Sequence, residues 1–117
     1  MREIKSRAWD KEEMKELDIW LAKNLMGWVD HCNMYWKDPV DGFKRMIKQT
    51  TWQPTQDIKQ AFECLEKFRE LNPDIFISVE LPTKNRPLYG CRFGVVVWQS
   101  DILELAICGA IREAIKD

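Results

Sequence analysis

Apolar side chains recur at helical spacing near the start of the chain. Four of them lie three or four residues apart: Met14, Leu17, Leu21 and Leu25. Trp20 lies beside them, and the polar residues between them can face water, as in an amphipathic helix. Gly27 follows, where a residue in the left-handed conformation would end the helix. The pattern therefore predicts a first helix from about Lys11 to Met26.

A second apolar stripe predicts another helix. Its members share one helical face: Ile58, Ala61, Phe62, Leu65 and Phe68. Thr55, after Pro54, is the expected N-cap, and Asn72-Pro73 ends the pattern. A free helix N-terminus can bind phosphate, but Asp57 places a carboxylate in the same turn. We therefore expect Asp57 to satisfy this helix end, and no phosphate site there.

Alternating apolar residues predict two strands between this helix and a third one. Ile75 to Leu81 reads as one strand, and Tyr89 to Trp98 as a second. The connector from Pro82 to Pro87 is polar and short enough for an antiparallel hairpin. Asp101 with Glu104 resembles a capping box at the start of a C-terminal helix. Helices and antiparallel strands are thus segregated, which predicts an α+β layered domain with about three main helices.

The remaining segments fit the same domain less distinctly. Residues 1–10 can form a strand or an arm, and Val29 to Trp36 can form a short strand. The stretch from Lys37 to Gln53 contains turn-forming pairs. With 117 residues, the chain is long enough for one hydrophobic core and too short for two. We expect a single domain over residues 1–117.

Charge and hydropathy restrict the location and the partners. Eighteen Lys and Arg residues against nineteen Asp and Glu residues give a net charge of -1. This balance disfavours nonspecific binding to nucleic acid or to anionic membranes. Uninterrupted apolar runs such as Gly94 to Trp98 are far shorter than a membrane span, and Met1 to Lys5 lacks the apolar stretch of a signal peptide. The sequence predicts a cytoplasmic protein that does not enter membranes.

Residues that usually carry catalysis or metal binding are sparse. The four cysteines are far apart and never form C-x-x-C, so we expect reduced thiols. His31 is the only histidine, and a metal site usually needs four converging ligands. The chain contains neither a glycine-rich phosphate loop nor a serine nucleophile near His31. We expect a protein that is not an enzyme, with no catalytic residues, no metal and no cofactor.

The predicted hairpin is the best candidate for binding an anionic ligand. Lys84, Arg86 and Arg92 lie in a stretch without a carboxylate, and Tyr89 adds an aromatic face on which a base could stack. The alternative is that the basic residues only keep the hairpin tip soluble and discourage pairing of edge strands. Both interpretations stay open at the level of sequence.

Six tryptophans are many for a chain of this length. Trp20 and Trp98 lie within apolar patterns and are expected in the core. The others flank predicted elements: Trp9, Trp28, Trp36 and Trp52. They can form core edges, an oligomer interface or stacking platforms. We include Trp28 and Trp36 in the candidate ligand site and expect a homo-oligomer.

Three motifs together resemble a known family. They are Leu21 to Trp28 (LAKNLMGW), Trp52 to Ile58 (WQPTQDI) and Leu105 to Cys108 (LAIC). In this order, over residues 17–116, they resemble the phage ABA-sandwich domain family. The resemblance implies a helix-sheet-helix sandwich of phage or prophage origin, in a family with no established general activity. Gly109 departs from the family pattern, in which a basic residue often follows Ala-Ile-Cys. Residues 1–10 resemble the start of YopX-like phage proteins.

The order of elements is also distantly similar to the anti-Thoeris sponge proteins, which sequester nucleotide signals as oligomers. This similarity implies a noncatalytic phage accessory protein in counter-defence, which binds a nucleotide-derived small molecule. The alternative function is a protein-interaction module that inhibits a host or phage protein through an aromatic surface. In the first case, Lys84, Arg86 and Arg92 would contact phosphates, and Tyr89, Trp28 or Trp36 would stack on a base.

Overall fold

Three helices lie in the part of the chain that the structure describes. The computed structural model describes residues 3–6, 9–40, 42–94 and 96–115. The helices are α1 (Lys11–Trp20), α2 (Ile58–Leu71) and α3 (Leu103–Ile115). A π-helical segment, Leu21–Leu25, continues α1, and Gln49–Thr51 form a short 3-10 helix. The expectation of about three main helices is confirmed.

The strands of the described residues form two sheets. Their bounds are β1 (Glu3–Ser6), β2 (Val29–His31), β3 (Tyr35–Asp38), β4 (Gly42–Lys48), β5 (Ile77–Glu80), β6 (Tyr89–Phe93) and β7 (Val96–Ser100). One sheet has the order β1-β7-β6-β5, and the other has the order β2-β3-β4. Neighbouring strands are antiparallel except β1, which runs parallel to β7. The α+β class is confirmed, and the strands divide between two sheets.

Two predicted strands are each interrupted by a turn. The strand expected from Val29 to Trp36 is split between β2 and β3, because Cys32 and Asn33 have positive φ angles of 57° and 58°. The strand expected from Tyr89 to Trp98 is split between β6 and β7, because Gly94 has a φ of 60°. A residue in this conformation reverses the chain direction instead of extending the strand.

The ends of α1 follow from local sequence. Asp10 caps the first turn by accepting a hydrogen bond from the Glu13 N–H at 2.8 Å, and the Glu13 side chain reaches back to the Asp10 N–H. After the π-helical segment, Gly27 has a φ of 72° and the Trp28 N–H donates to the Ala22 carbonyl at 2.9 Å. The predicted glycine cap is therefore confirmed, since glycine adopts this angle without strain from a Cβ atom.

The start of α2 differs from the prediction. Asp57, and not Thr55, is the N-cap, and its carboxylate accepts from the Gln60 N–H at 3.2 Å. The expectation that Asp57 satisfies this helix end is confirmed. Thr55 lies two residues earlier and donates instead to Asp18, so the threonine joins two elements.

The start of α3 also differs, since the predicted capping box of Asp101 and Glu104 does not form. The helix begins at Leu103, and the Ser100 hydroxyl accepts from the Ile102 N–H at 3.1 Å. Asp101 therefore precedes the capping position instead of occupying it.

The core lies between the helices and one face of the four-stranded sheet. Helix α3 packs directly on β6 and β7, and α2 packs on α3. Phe68 of α2 stacks on Phe93 of β6 with 4.5 Å between ring centroids. Gly109 lies under the indole of Trp98, where an added Cβ would overlap the ring. The glycine at the family's departing position thus lets β7 and α3 approach closely.

Candidate functional site

The alternation of side chains along β6 decides which predicted site residues can meet. Cys91 and Phe93 are buried and point toward the helices, and Tyr89 packs against the same core. Arg92 lies on the opposite face of the sheet, where it contacts Glu80 of β5. Because successive residues of a strand face opposite sides, Tyr89 and Arg92 cannot line one pocket. The prediction that Tyr89 and Arg92 share a site is wrong.

On the outer face of the sheet, Arg92 forms an ion pair. Its Nη2 donates to Oε1 of Glu80 at 3.1 Å, and both side chains are partly buried. Gly90 pairs with Glu80 in the ladder, and a Cβ at Gly90 would lie 3.2 Å from Oε2 of Glu80. The glycine therefore leaves room for the carboxylate to lie over the strand. The Nε of Arg92 is buried and lacks a hydrogen-bond partner among the described residues.

The connector between β5 and β6 is closed by a tight turn, and the predicted antiparallel hairpin is confirmed. The Thr83 N–H donates to the Arg86 carbonyl at 2.7 Å, and the Arg86 N–H donates to the Thr83 hydroxyl at 3.1 Å. Lys84 and Asn85 occupy the two central positions, and Lys84 is exposed at the tip. The reciprocal bonds fix the backbone of Arg86, so its side chain starts from a defined position.

A groove of about 310 Å³ lies between this connector and the outer face of the sheet; we call it the hairpin groove. Its lining comes from β5, the connector and β7: Glu80, Asn85, Arg86, Pro87, Leu88, Val97 and Gln99. Arg86 supplies a cation, and Asn85 and Gln99 supply amides that both donate and accept hydrogen bonds. Lys84 does not line the groove, although it lies on the same turn. The arrangement suits a small polar ligand that carries an anionic group.

The tryptophans assigned to stacking lie in the core instead. Trp28, Trp36 and Trp52 are 5%, 3% and 2% exposed. Trp28 and Trp52 pack edge to face, with their ring centroids 4.7 Å apart. A base cannot stack on a ring whose faces are already covered, so the prediction of Trp28 and Trp36 as stacking residues is wrong. The broad aromatic surface proposed for a protein partner is absent at these three tryptophans.

A buried carboxylate joins α1 to the segment before α2. Asp18 is 4% exposed and accepts from the Thr55 N–H at 2.9 Å and from the Thr55 hydroxyl at 3.1 Å. The Trp52 indole N–H donates to the Asp18 carbonyl at 3.0 Å. Burial raises the pKa of Asp18 to about 6, although the two Thr55 hydrogen bonds act in the opposite direction. Sequence reasoning missed Asp18. Its contacts with both Trp52 and Thr55 explain why these two residues occur together in one motif.

Two buried thiols, those of Cys64 and Cys108, lie near the Asp18 carboxylate, and Cys91 is buried as well. Burial raises the pKa of Cys91 to about 12, and burial raises the pKa values of Cys64 and Cys108 as well. Cys32 is exposed in the turn between β2 and β3.

Within the described ranges, no three potential metal-ligating side chains converge. None of the described helices is long and apolar enough to cross a membrane.

The order of helices and strands, with its two sheets, defines a small α+β domain. A model of the phage ABA sandwich domain family matches residues 19–110. This match covers more than half of the chain and extends from α1 to α3. The chain belongs to the phage ABA sandwich domain family. Residues 1–10, for which the sequence suggested a YopX-like start, precede the matched range, so that resemblance stays a prediction. No curated protein and no solved structure shows a significant match to this chain.

Proposed function

We propose that this chain is a noncatalytic phage accessory protein that binds a small nucleotide-derived signal in the hairpin groove and sequesters it. The observation that carries the proposal is the position of Arg86 at that groove. Within the described residues, its guanidinium makes no ion pair, whereas Arg92 is already paired with Glu80. Arg86 can therefore offer a full charge and a two-pronged hydrogen bond to a phosphate.

The rest of the groove suits a nucleotide better than a bare phosphate. The amides of Asn85 and Gln99 can read a base edge or a ribose hydroxyl, and Val97 and Leu88 supply apolar surface. A volume of about 310 Å³ is near the lower limit of ligand pockets, which span roughly 300–1,000 Å³. One nucleotide unit is therefore the expected occupant of each groove. Base stacking on an aromatic ring has no part in this proposal.

Sequestration needs binding and no reaction, which agrees with the lack of a catalytic motif in the sequence. The amount of signal that is sequestered is proportional to the number of binding sites, and an oligomer would present several grooves in one particle. The distant similarity to anti-Thoeris sponge proteins supports this proposal by analogy, and a shared fold does not transfer a ligand. The experiment must therefore test the ligand directly.

The test is a binding panel of cyclic nucleotides and cyclic ADP-ribose isomers, measured by thermal shift and by calorimetry. We expect at least one member to bind the wild-type protein. Arg86→Gln should weaken that binding about tenfold to a hundredfold, since a hydrogen bond to a charged group contributes about 1.5–3 kcal/mol. Arg69→Gln is the matched control, because Arg69 is an exposed arginine on α2 outside the groove. The proposal would be overturned if no member of the panel bound the protein. It would also be overturned if Arg86→Gln and Arg69→Gln weakened binding equally.

Native mass spectrometry of the purified protein gives an independent readout. It measures the oligomeric state and the mass of any small molecule that copurifies. We expect a homo-oligomer with a nucleotide-sized adduct, which denaturation releases. A protein partner in stoichiometric amount, without a small adduct, would favour the interaction module over the sponge.

A further inference from the structure

A second and larger groove lies along α2, on the helical side of the four-stranded sheet. We call it the α2 groove, and its volume is about 610 Å³. One wall consists of residues from one face of α2: Lys59, Phe62, Glu63, Glu66, Lys67 and Glu70. The other wall is formed by Met26 and Trp28 after the π-helical segment and by Asp38 at the end of β3. The proposed nucleotide site shares no residue with this groove.

The α2 groove has an apolar centre. Phe62 is 42% exposed, although its neighbours Ala61 and Cys64 are fully buried. Phe62 and Met26 both line the groove, and Trp28, which is 5% exposed, adds to its apolar lining. An exposed aromatic ring beside a partly buried methionine forms a pocket that a single large apolar side chain can fill. The groove therefore has a place for an apolar anchor.

The rim of the groove is acidic. Among the described residues, four carboxylates line it, against two lysines, in a chain whose total net charge is -1. Glu66 also pairs with Arg69 at 2.7 Å, but both side chains are more than 60% exposed. An exposed ion pair contributes little and can exchange partners. Glu70 and Asp38 add carboxylates on the two walls. The charge excess favours a cationic partner and disfavours an acidic one.

We propose that the α2 groove binds a basic amphipathic segment of a partner protein. The segment inserts an apolar side chain between Phe62 and Met26 and places lysine or arginine side chains opposite the rim carboxylates. Charge complementarity selects this occupant over an acidic peptide, and the apolar centre selects it over a simple polycation. The docking surface thus differs in position and in chemistry from the nucleotide site.

Two synthetic probes test this proposal by fluorescence anisotropy. One is a short helical peptide of leucine and lysine, and the other has glutamate in place of every lysine. We expect the lysine peptide to bind and the glutamate peptide to bind at least tenfold more weakly. Comparable affinity for the two peptides would overturn the proposal.

Matched variants distinguish the groove from the general surface. Phe62→Ser should weaken binding of the lysine peptide about tenfold or more, as expected for loss of a central aromatic anchor. Phe76→Ser removes another exposed phenylalanine, at 66% exposure, and should leave the affinity unchanged. Glu70→Lys should weaken binding and reduce its salt dependence, whereas Glu16→Lys, on α1, should do neither. Equal effects of the groove variants and their controls would refute the proposed site.

Sedimentation of the wild-type protein and of the Phe62→Ser variant tests for a second copy in the groove. We expect the same oligomeric state for both proteins. A wild-type dimer that Phe62→Ser dissociates would show that the groove holds another copy of this chain, and would overturn the proposal.

Discussion

Replacement of Asp18 by asparagine should stabilise the protein at neutral pH. The carboxyl group is 4% exposed and binds both the N–H and the hydroxyl of Thr55. An asparagine preserves both contacts, because its amide oxygen can accept from the N–H and its amide nitrogen can donate to the hydroxyl oxygen. The substitution removes the buried charge and little else, since the two side chains have nearly the same shape.

The magnitude follows from the pKa of Asp18. A rise in pKa from the ordinary value of 3.8 to about 6 corresponds to about 3 kcal/mol of unfavourable free energy for the ionised, folded form. Because the folded state binds the proton more tightly, this group's contribution to stability is complete below pH 3.8. The contribution is lost as the pH rises through about 6. Asp18→Asn should therefore be more stable than the wild type by up to about 3 kcal/mol above pH 7.

The assay is urea unfolding of both proteins at a series of pH values from 4 to 8, followed by tryptophan fluorescence. Other carboxylates also titrate in this range, but their contributions to the free energy of unfolding cancel in the difference between the two proteins. That difference should be largest above pH 7 and should fall below about 1 kcal/mol near pH 4. Asp18→Ala is the control: it removes both acceptors from Thr55 and should be less stable than Asp18→Asn at every pH.

One result would refute the reasoning outright. If Asp18→Asn is less stable than the wild type at pH 8 and the deficit disappears at pH 4, then the ionised carboxylate stabilises the fold. The hydrogen bonds from Thr55 would then outweigh the cost of burial, and the pKa of Asp18 would lie below its ordinary value.

Two further predictions concern the core. Gly109→Ala should destabilise the protein by about 1–3 kcal/mol in the same urea assay, because the new Cβ would lie 2.7 Å from Cδ1 of Trp98. The same change in an open helix stabilises by about 1 kcal/mol. An unchanged or higher urea midpoint would therefore show that the indole moves aside. A thiol reagent should modify only Cys32 in the native protein and all four cysteines in denaturant, because the other three thiols are buried and have raised pKa values. Rapid labelling of a second thiol in the native protein would contradict this prediction.

Local patterns were sufficient for the elements whose contacts lie close in sequence. The apolar stripe around Ala61 and Phe68 predicts α2, since a single helical face carries both the pattern and the packing. Gly27 could be placed as a cap because its role depends on its own φ angle. The turn at Gly94, which splits one predicted strand, was missed because apolar residues continue on both sides of Gly94 and mask the reversal.

Contacts between distant residues were not predictable in this way. Thr55 and Asp57 can both cap a helix, and the partner that recruits Thr55 is Asp18, 37 positions earlier. Trp28 and Trp36 flank their elements, and no local pattern indicates that their rings are covered by other parts of the fold. The separation of Tyr89 from Arg92 was available from sequence, since residues an odd number of positions apart in one strand face opposite sides.

The parallel pairing of β1 with β7 affects how the protein can assemble during synthesis. Strand β1 has its sheet neighbour in β7, about 90 residues later, so it cannot pair with that neighbour until the strands between them in sequence have been made. Closing so long a loop is slow compared with forming a hairpin. The hairpins β2-β3 and β5-β6 can therefore form early, whereas β1 joins only after translation has passed β7. Until β1 pairs with β7, the edge of β7 that β1 will cover stays open, and a strand of a neighbouring nascent chain could occupy it.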